Sequence, residues 1–159
     1  MCIRDRGVSG LHLTIAGSGP YEPELRSLVN DLGMEKRVEF IGAVFAEDKL
    51  RFWNSIDIFS FPTYHREGLP YTVLEALASG TPQITTPVGG IPDAVRDGVE
   101  GMIITSHEPR LIAEAIRELQ SDAIRLSKMS RAAIKRAHEQ YSVARLAQQF
   151  ITLYRELLD

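Results

Sequence analysis

The chain has 159 residues, 44% of them hydrophobic and 25% charged, with a net charge of -3. That balance suits one globular domain with a sizeable core and excludes a disordered or fibrous chain. It also lacks the basic excess that a nucleic-acid backbone demands, so no nucleic-acid partner is expected.

Residues 1–10 carry Arg4, Asp5 and Arg6 with no apolar stretch after them, unlike a secretory signal. Two readings stay open for this leader: translated non-native sequence, or a short disordered tail. Either sets 1–10 apart from a fold expected over 11–159. The lone cysteine, Cys2, has no internal partner for a disulfide, which permits a reducing compartment without proving one.

Leu11 to Ala16 is an apolar, β-branched run closed by Gly17-Ser18-Gly19-Pro20, which predicts a strand and a tight turn. Leu25, Leu28, Val29 and Leu32 then recur at helical spacing, and Gly33 stops that helix. Val38 to Ile41 is a second strand ended by Gly42, and Leu50, Phe52 and Trp53 mark a short helix. Ile56 to Phe61 is a third strand closed by Pro62, and Tyr71 to Ser79 a helix closed by Gly80. Gln83 to Thr86 is a fourth strand, followed by a Gly89-Gly90 turn and a short helix with Ala94 and Val95. Gly98 ends that helix, and Met102 to Ile104 is a fifth strand. Three helices finish the chain: about Pro109 to Leu119, Asp122 to about His138, and one from an N-cap at Ser142 to Leu158. The stripe Ile112, Ala115, Ile116 and Leu119 marks the core face of the first, and Tyr141 and Tyr154 are expected to pack the C-terminal helices.

Short apolar strands alternating with helices predict an α/β fold, a Rossmann-like, doubly wound parallel sheet covered on both faces. Ligands of such sheets bind beyond the carboxyl ends of the strands. The loops after Ala16, Gly42, Phe61 and Thr86 are therefore the places to look for a site.

The loop after the third strand holds Glu67, and Glu75 follows eight positions later in the second turn of the next helix. With Glu67 on the loop, both carboxylates can face one cleft. Between them lies a helix N-terminus, whose unpaired amides and positive dipole end suit a phosphate or pyrophosphate. A hydrogen bond from a sugar hydroxyl to a carboxylate contributes about 1.5–3 kcal/mol, and the helix end about 0.3–2 kcal/mol for an anion. On spacing alone two such glutamates read as solvated surface charges. The motifs around them change that reading.

Those motifs run in a fixed order. Gly17 to Pro20 gives Gly-x-Gly-Pro; Val38 to Gly42 gives a strand and glycine; Asp57 to Pro62 places an Asp before a strand ending in Pro. Glu67 to Glu75, Gly80-Thr81-Pro82, Gly89-Gly90-Ile91-Pro92, Asp97-Gly98 and Gly101 follow. Over Leu11 to Asp159 this order resembles the retaining GT-B glycosyltransferases, especially glycosyltransferase family 4 (group 1), in their C-terminal donor-binding domain.

The resemblance implies a domain that binds a nucleoside-diphosphate sugar for retaining hexosyl transfer to a glycan, lipid or small acceptor. It implies that Glu67 faces the sugar as the catalytic carboxylate and that Glu75 binds the ribose hydroxyls. Gly68, Leu69, Tyr71 and Thr72 would meet the sugar and diphosphate. For Gly17 and Gly19 two readings stand, contact with the nucleotide or a sharp turn only; the third glycine of a dinucleotide fingerprint is replaced by Glu22. His65 and Arg66 read as solvated loop residues before sugar contacts. His12 reads as a structural strand residue, and His107 and His138 as surface residues. No cofactor and no metal are expected. Two departures from the commonest pattern stand out. Glu67-Gly68-Leu69-Pro70 replaces Glu-Gly-Phe-Gly, so Pro70 has no N–H to donate. Asp93 stands where Glu is commoner, and reads as a helix cap.

The resemblance also implies that the chain is one half of a two-domain enzyme, truncated before the Gly-Arg loop and Lys that neutralise the leaving diphosphate. Alone it is expected to be inactive, and an exposed sheet edge with a bare C-terminal helix face should make it prone to associate. The acceptor would be held by the other domain. A cytoplasmic place, with peripheral association at the inner face of a membrane, is expected from the resemblance only. The alternatives are a nucleotide-sugar epimerase of the same architecture and a stand-alone nucleotide-binding module.

Overall fold

The computed structural model describes residues 10–66 and 68–158. The expectations for residues 1–9 and for Glu67 lie outside the described residues. The chain divides into two compact units, Met1–Ser55 and Ile56–Asp159.

The first unit runs β1 (Leu13–Ala16), α1 (Glu22–Asp31), β2 (Val38–Gly42) and α2 (Glu47–Asn54). The two strands pair in parallel, Leu13 opposite Val38 and Ile15 opposite Phe40. The register slips after Ile15, and the Gly17 N–H prolongs the pairing by donating to Gly42 O at 2.7 Å. Helix α1 begins with a proline in its first turn, which pre-sets the helical φ. It ends at Gly33, φ +63, where the Gly33 and Met34 amides turn back onto Asn30 O and Val29 O. Arg26 is held by Glu22 at 2.7 Å and lays its guanidinium 4.3 Å above the Phe40 ring. Met34 and Trp53 are buried. Strand β1 starts later than its apolar run suggests, and His12 before it is exposed rather than structural. Strand β2 alternates, with Glu39 and Ile41 exposed, so it is not the doubly covered strand its composition suggests.

The second unit runs β3 (Phe59–Phe61), α3 (Tyr71–Ser79), β4 (Gln83–Thr85), α4 (Ile91–Ala94), β5 (Gly101–Ile103), α5 (Pro109–Ser121), α6 (Ala123–Tyr141) and α7 (Val143–Leu158). Its sheet is all parallel in the order β3-β4-β5. Strand β4 is central and wholly buried, yet two of its three residues are polar. Both are tied down: Gln83 Nε2 donates to Val73 O at 3.0 Å, and Thr85 Oγ1 to Phe61 O at 3.1 Å. The strand thus carries specific cross-links where apolar residues were expected, although Gln83 Oε1 is buried with no hydrogen-bond partner among the described residues.

Val73 and Leu77 of α3 pack with Ile91, Ala94, Val95 and Ala133 into one core cluster. The stripe Ile112, Ala115, Ile116 and Leu119 of α5 is buried, as its spacing predicts. Asp122 caps α6 by accepting from the Arg125 N–H at 2.8 Å, and Ser142 caps α7 by accepting from Arg145 at 3.3 Å. Tyr141 does more than pack helices. Its hydroxyl donates to Asp93 O at 2.8 Å, and Arg136 Nε donates to Ala94 O at 2.6 Å, so the end of α6 is fastened to α4. The cap position of α4 is Gly90, with Asp93 inside its first turn rather than at the cap. Helix α7 buries none of its residues: Phe150 and Leu157 stand exposed on a bare apolar face, and Tyr154, expected to pack the C-terminal helices, is 61% exposed and stacks on Phe150 of its own helix.

One buried charge lies in the turn before β5. Glu100 is fully buried, and its carboxylate accepts from the Arg96 backbone N–H at 2.9 Å and from the Arg96 guanidinium. The hydrogen bond to Glu100 raises the Arg96 pKa above the ordinary arginine value, desolvation opposing it and the Glu100 charge adding to it. Because the folded-state value is the higher one, this contribution is present below the unfolded value and is lost only as pH rises beyond the arginine range. Removing Arg96 would strand a buried carboxylate, whereas the Arg96 side chain is itself half exposed. Arg96→Ala is therefore expected to cost about 2 kcal/mol, and Arg96→Lys less. A denaturant melt in which Arg96→Ala matches the parent chain would contradict this.

Candidate functional site

Three loops leave the carboxyl ends of β3, β4 and β5 on one side of the second unit's sheet. The loop between β3 and α3 is the longest and is fixed at both ends. At its start, the Thr63 N–H donates to Phe61 O at 2.9 Å, and Thr86 Oγ1, from beyond β4, donates to Thr63 O. At its end, the Gly90 N–H donates to Gly68 O at 2.6 Å. A Cβ on Gly90 would stand 3.1 Å from Gly68 O and 3.3 Å from Leu69 Cβ, so glycine at 90 lets the two loops meet. Leu69 is half-buried and packs on the core cluster, anchoring the segment from below.

Pro70 then caps α3 in an extended conformation, φ -62 and ψ 132, with no side-chain hydrogen bond of its own. Its carbonyl takes the Val73 N–H at 3.1 Å and the Leu74 N–H at 3.4 Å. The amides of Tyr71 and Thr72 precede these and have no intrahelical acceptor, because a helix leaves its first N–H groups unpaired. The Tyr71 side chain is 81% exposed and Thr72 is exposed beside it. Glu75 is half-buried one turn further along. The helix thus presents the positive end of its dipole with a carboxylate one turn behind it.

Of the residues expected from sequence, Gly68, Leu69, Tyr71, Thr72 and Glu75 fall together in this one segment. Glu67 lies outside the described residues. Gly17 and Gly19 belong to the first unit, where they have turn roles: Gly17 pairs with Gly42, and Gly19 O accepts from Glu22 at 3.1 Å. His65 is exposed, and its N–H donates to Thr63 Oγ1 at 3.2 Å. Thr63 and Thr86 are positioning residues that sequence reading misses. Neither belongs to a recognisable motif, and only the β3–β4 pairing brings them within reach. The same applies to His107, whose ring meets Tyr64 with centroids 5.1 Å apart. Among the described residues no group of three or more His, Cys, Asp or Glu is placed to hold a metal ion. No described helix is long and apolar enough to cross a membrane.

Residues 2–122 match the family model described as glycosyl transferases group 1. A D-inositol 3-phosphate glycosyltransferase of Corynebacterium efficiens is 34% identical over 150 residues, 92% of this chain and 35% of that protein. A GDP-mannose-dependent alpha-(1-6)-phosphatidylinositol monomannoside mannosyltransferase of Mycobacterium tuberculosis is 36% identical over 134 residues, 80% of this chain and 34% of that protein. The chain thus spans about a third of the length of these curated relatives. Among solved structures, Anabaena Alr3699/HepE in complex with UDP superposes with a TM-score of 0.83 at 22% identity, over 92% of this chain and 41% of that one. The C-terminal domain of a group 1 family protein, LpcC, from Francisella tularensis superposes with a TM-score of 0.69 at 25% identity, over 77% of this chain and 63% of that one. The α/β architecture is that of the GT-B glycosyltransferases.

Proposed function

This chain belongs to the group 1 glycosyl transferases, and from that membership and the geometry around Glu75 we propose that it is the donor-binding part of a retaining hexosyltransferase. The observation that carries the reading is the α3 entrance. Amides at Tyr71 and Thr72 with no intrahelical acceptor stand one turn ahead of a half-buried Glu75, on a loop held by the Gly68–Gly90 contact. The ligand is a nucleoside-diphosphate sugar. Its diphosphate lies against the α3 N-terminus, where the helix dipole offsets the charge that grows on the leaving group. Its ribose hydroxyls donate to Glu75. Gly68 and Leu69 line the sugar, and Glu67 is the candidate catalytic carboxylate. No metal is needed, because helix amides and side chains carry the anion. The HepE complex with UDP and the GDP-mannose-dependent relative support a nucleotide donor.

The acceptor, a glycan or lipid-linked sugar, is held by a second domain of a longer protein, at the cytoplasmic face of a membrane. The length of the relatives supports that division. The purified 159-residue chain is accordingly expected to bind UDP or GDP yet transfer no sugar. Incubating it with UDP-glucose or GDP-mannose and a mixture of glycoside acceptors, and resolving the products by mass spectrometry, checks this. A new glycosidic product from the chain alone would contradict it.

A further inference from the structure

Tyr64 is 65% exposed, on the loop that leaves the carboxyl end of β3. Its ring centroid is 4.3 Å from that of His65 and 5.1 Å from that of His107, tilted by 33° and 42°. Two loops contribute: Tyr64 and His65 follow β3, and His107 follows β5. Both histidines are exposed.

This cluster is held in place from beneath. Thr63, directly before Tyr64, accepts from Thr86 on its carbonyl and from the His65 N–H on its hydroxyl. On the other loop, the Ile104 N–H donates to Thr85 O at 2.8 Å, which fixes the exit of β5. Preorganised aromatic rings give contact area with little entropy left to lose.

The chemistry of the cluster is mixed in a particular way. Its faces are apolar, and its rim carries one phenol and two imidazoles, each able to donate and accept. A pyranose ring has the matching form, with an apolar C–H face bordered by hydroxyls. A phosphate does not match, since the cluster offers no fixed cation except the neighbouring Arg66.

We propose that Tyr64, His65 and His107 form a stacking shelf for a pyranose ring, and that this shelf sets which sugar the protein accepts. The inference rests on the donor-site reading above, because the shelf lies on the same β3–α3 loop. The ring that uses it is either the hexose of the donor or a sugar of the acceptor, and the two have the same chemistry.

The test uses the 159-residue chain and its Tyr64→Ala, Tyr64→Phe and His107→Ala variants, with thermal melts to show that each is folded. In one arm GDP and GDP-mannose, and UDP and UDP-glucose, are titrated by calorimetry. In the other, methyl mannoside and methyl glucoside are followed by saturation transfer from aromatic protons. The expected result is an affinity loss of about three- to tenfold in Tyr64→Ala, a smaller loss in His107→Ala and little in Tyr64→Phe. A loss for the sugar nucleotide but not its parent nucleotide places the donor hexose on the shelf. A loss confined to the glycoside arm places the acceptor sugar there. Equal losses for nucleotide with and without sugar would overturn the shelf and make Tyr64 a base-stacking residue. Unchanged affinity in both arms would also overturn it while leaving the donor site intact. If the parent chain binds no nucleotide at all, the donor-site reading fails, and the glycoside arm alone decides the shelf.

Discussion

Gly101→Ala is expected to unfold the second unit or to lower its stability by about 3 kcal/mol or more. A Cβ at this position would stand 2.2 Å from Gln83 O and 2.9 Å from both Gln83 C and Gln83 N. All three are backbone atoms of the central strand, so no side chain can swing aside. Gly101 pairs with Gln83 in the β4–β5 ladder, and relief would require those strands to part. Strand β4 is wholly buried, and its Gln83 also holds α3 through Val73 O. Opening the ladder would therefore loosen the helix that carries Glu75. Soluble expression and a denaturant melt of the variant check this. A variant as stable as the parent would mean that β5 does not approach β4 as described. Gly98→Ala, three positions before Gly101, is a useful contrast. It faces open space but has φ +73, so it should cost only about 1 kcal/mol.

Glu75→Ala is expected to weaken nucleoside-diphosphate binding by roughly ten- to a hundredfold. A hydrogen bond to a charged acceptor contributes about 1.5–3 kcal/mol, and each 1.4 kcal/mol is a factor of ten. Glu75→Gln keeps the shape and one acceptor oxygen but loses the charge, so its loss should be intermediate. Glu75 is half-buried, and its carboxylate has contacts within the protein as well. Binding must therefore be measured beside stability. Calorimetric titration with UDP and GDP, together with a thermal melt of each variant, separates the two. A Glu75→Ala chain that melts early yet binds as tightly as the parent would assign this carboxylate to the fold instead of the ligand.

The sequence was most legible where backbone chemistry is local. Pro70 and Gly80 bracket α3, because one presets its entry and the other takes the left-handed φ of +75 at its exit; both ends of that helix are where the spacing puts them. The apolar stripe of α5 was equally plain, since burial repeats at the helical period. Strand ends were less legible. Ile56 to Phe61 reads as one apolar run, but β3 forms only over Phe59–Phe61, where β4 lies opposite. Pairing, and not composition, decides where a strand begins. Strand β4 departs further from its sequence pattern, for Gln83 and Thr85 are buried on account of bonds to residues distant in sequence.

The candidate site divides along the same line. Gly68, Leu69, Tyr71, Thr72 and Glu75 are contiguous or one turn apart, so a motif and a helix start were enough to gather them. Thr63 and Thr86 bind the loop through a contact between different strand exits, and no local pattern announces them; Gly90 stands in a readable motif, but its contact with Gly68 does not. Tyr64 and His107 meet only because β3 and β5 flank β4 in one parallel sheet. Read singly, each is an ordinary surface residue. Gly101 is a similar case: its place in the order of motifs is readable, but the reason for glycine is the carbonyl of Gln83 across the ladder.

The central claim is that the α3 entrance binds the diphosphate of a sugar nucleotide. The most direct measurement is an amide NMR titration of the 159-residue chain with UDP, GDP and ADP. The predicted result is saturable binding of at least one of them, with the largest shifts at Gly68, Tyr71 and Thr72 and a clear shift at Glu75. A folded chain that binds none of the three, or that shifts only along the bare face of α7, would contradict it.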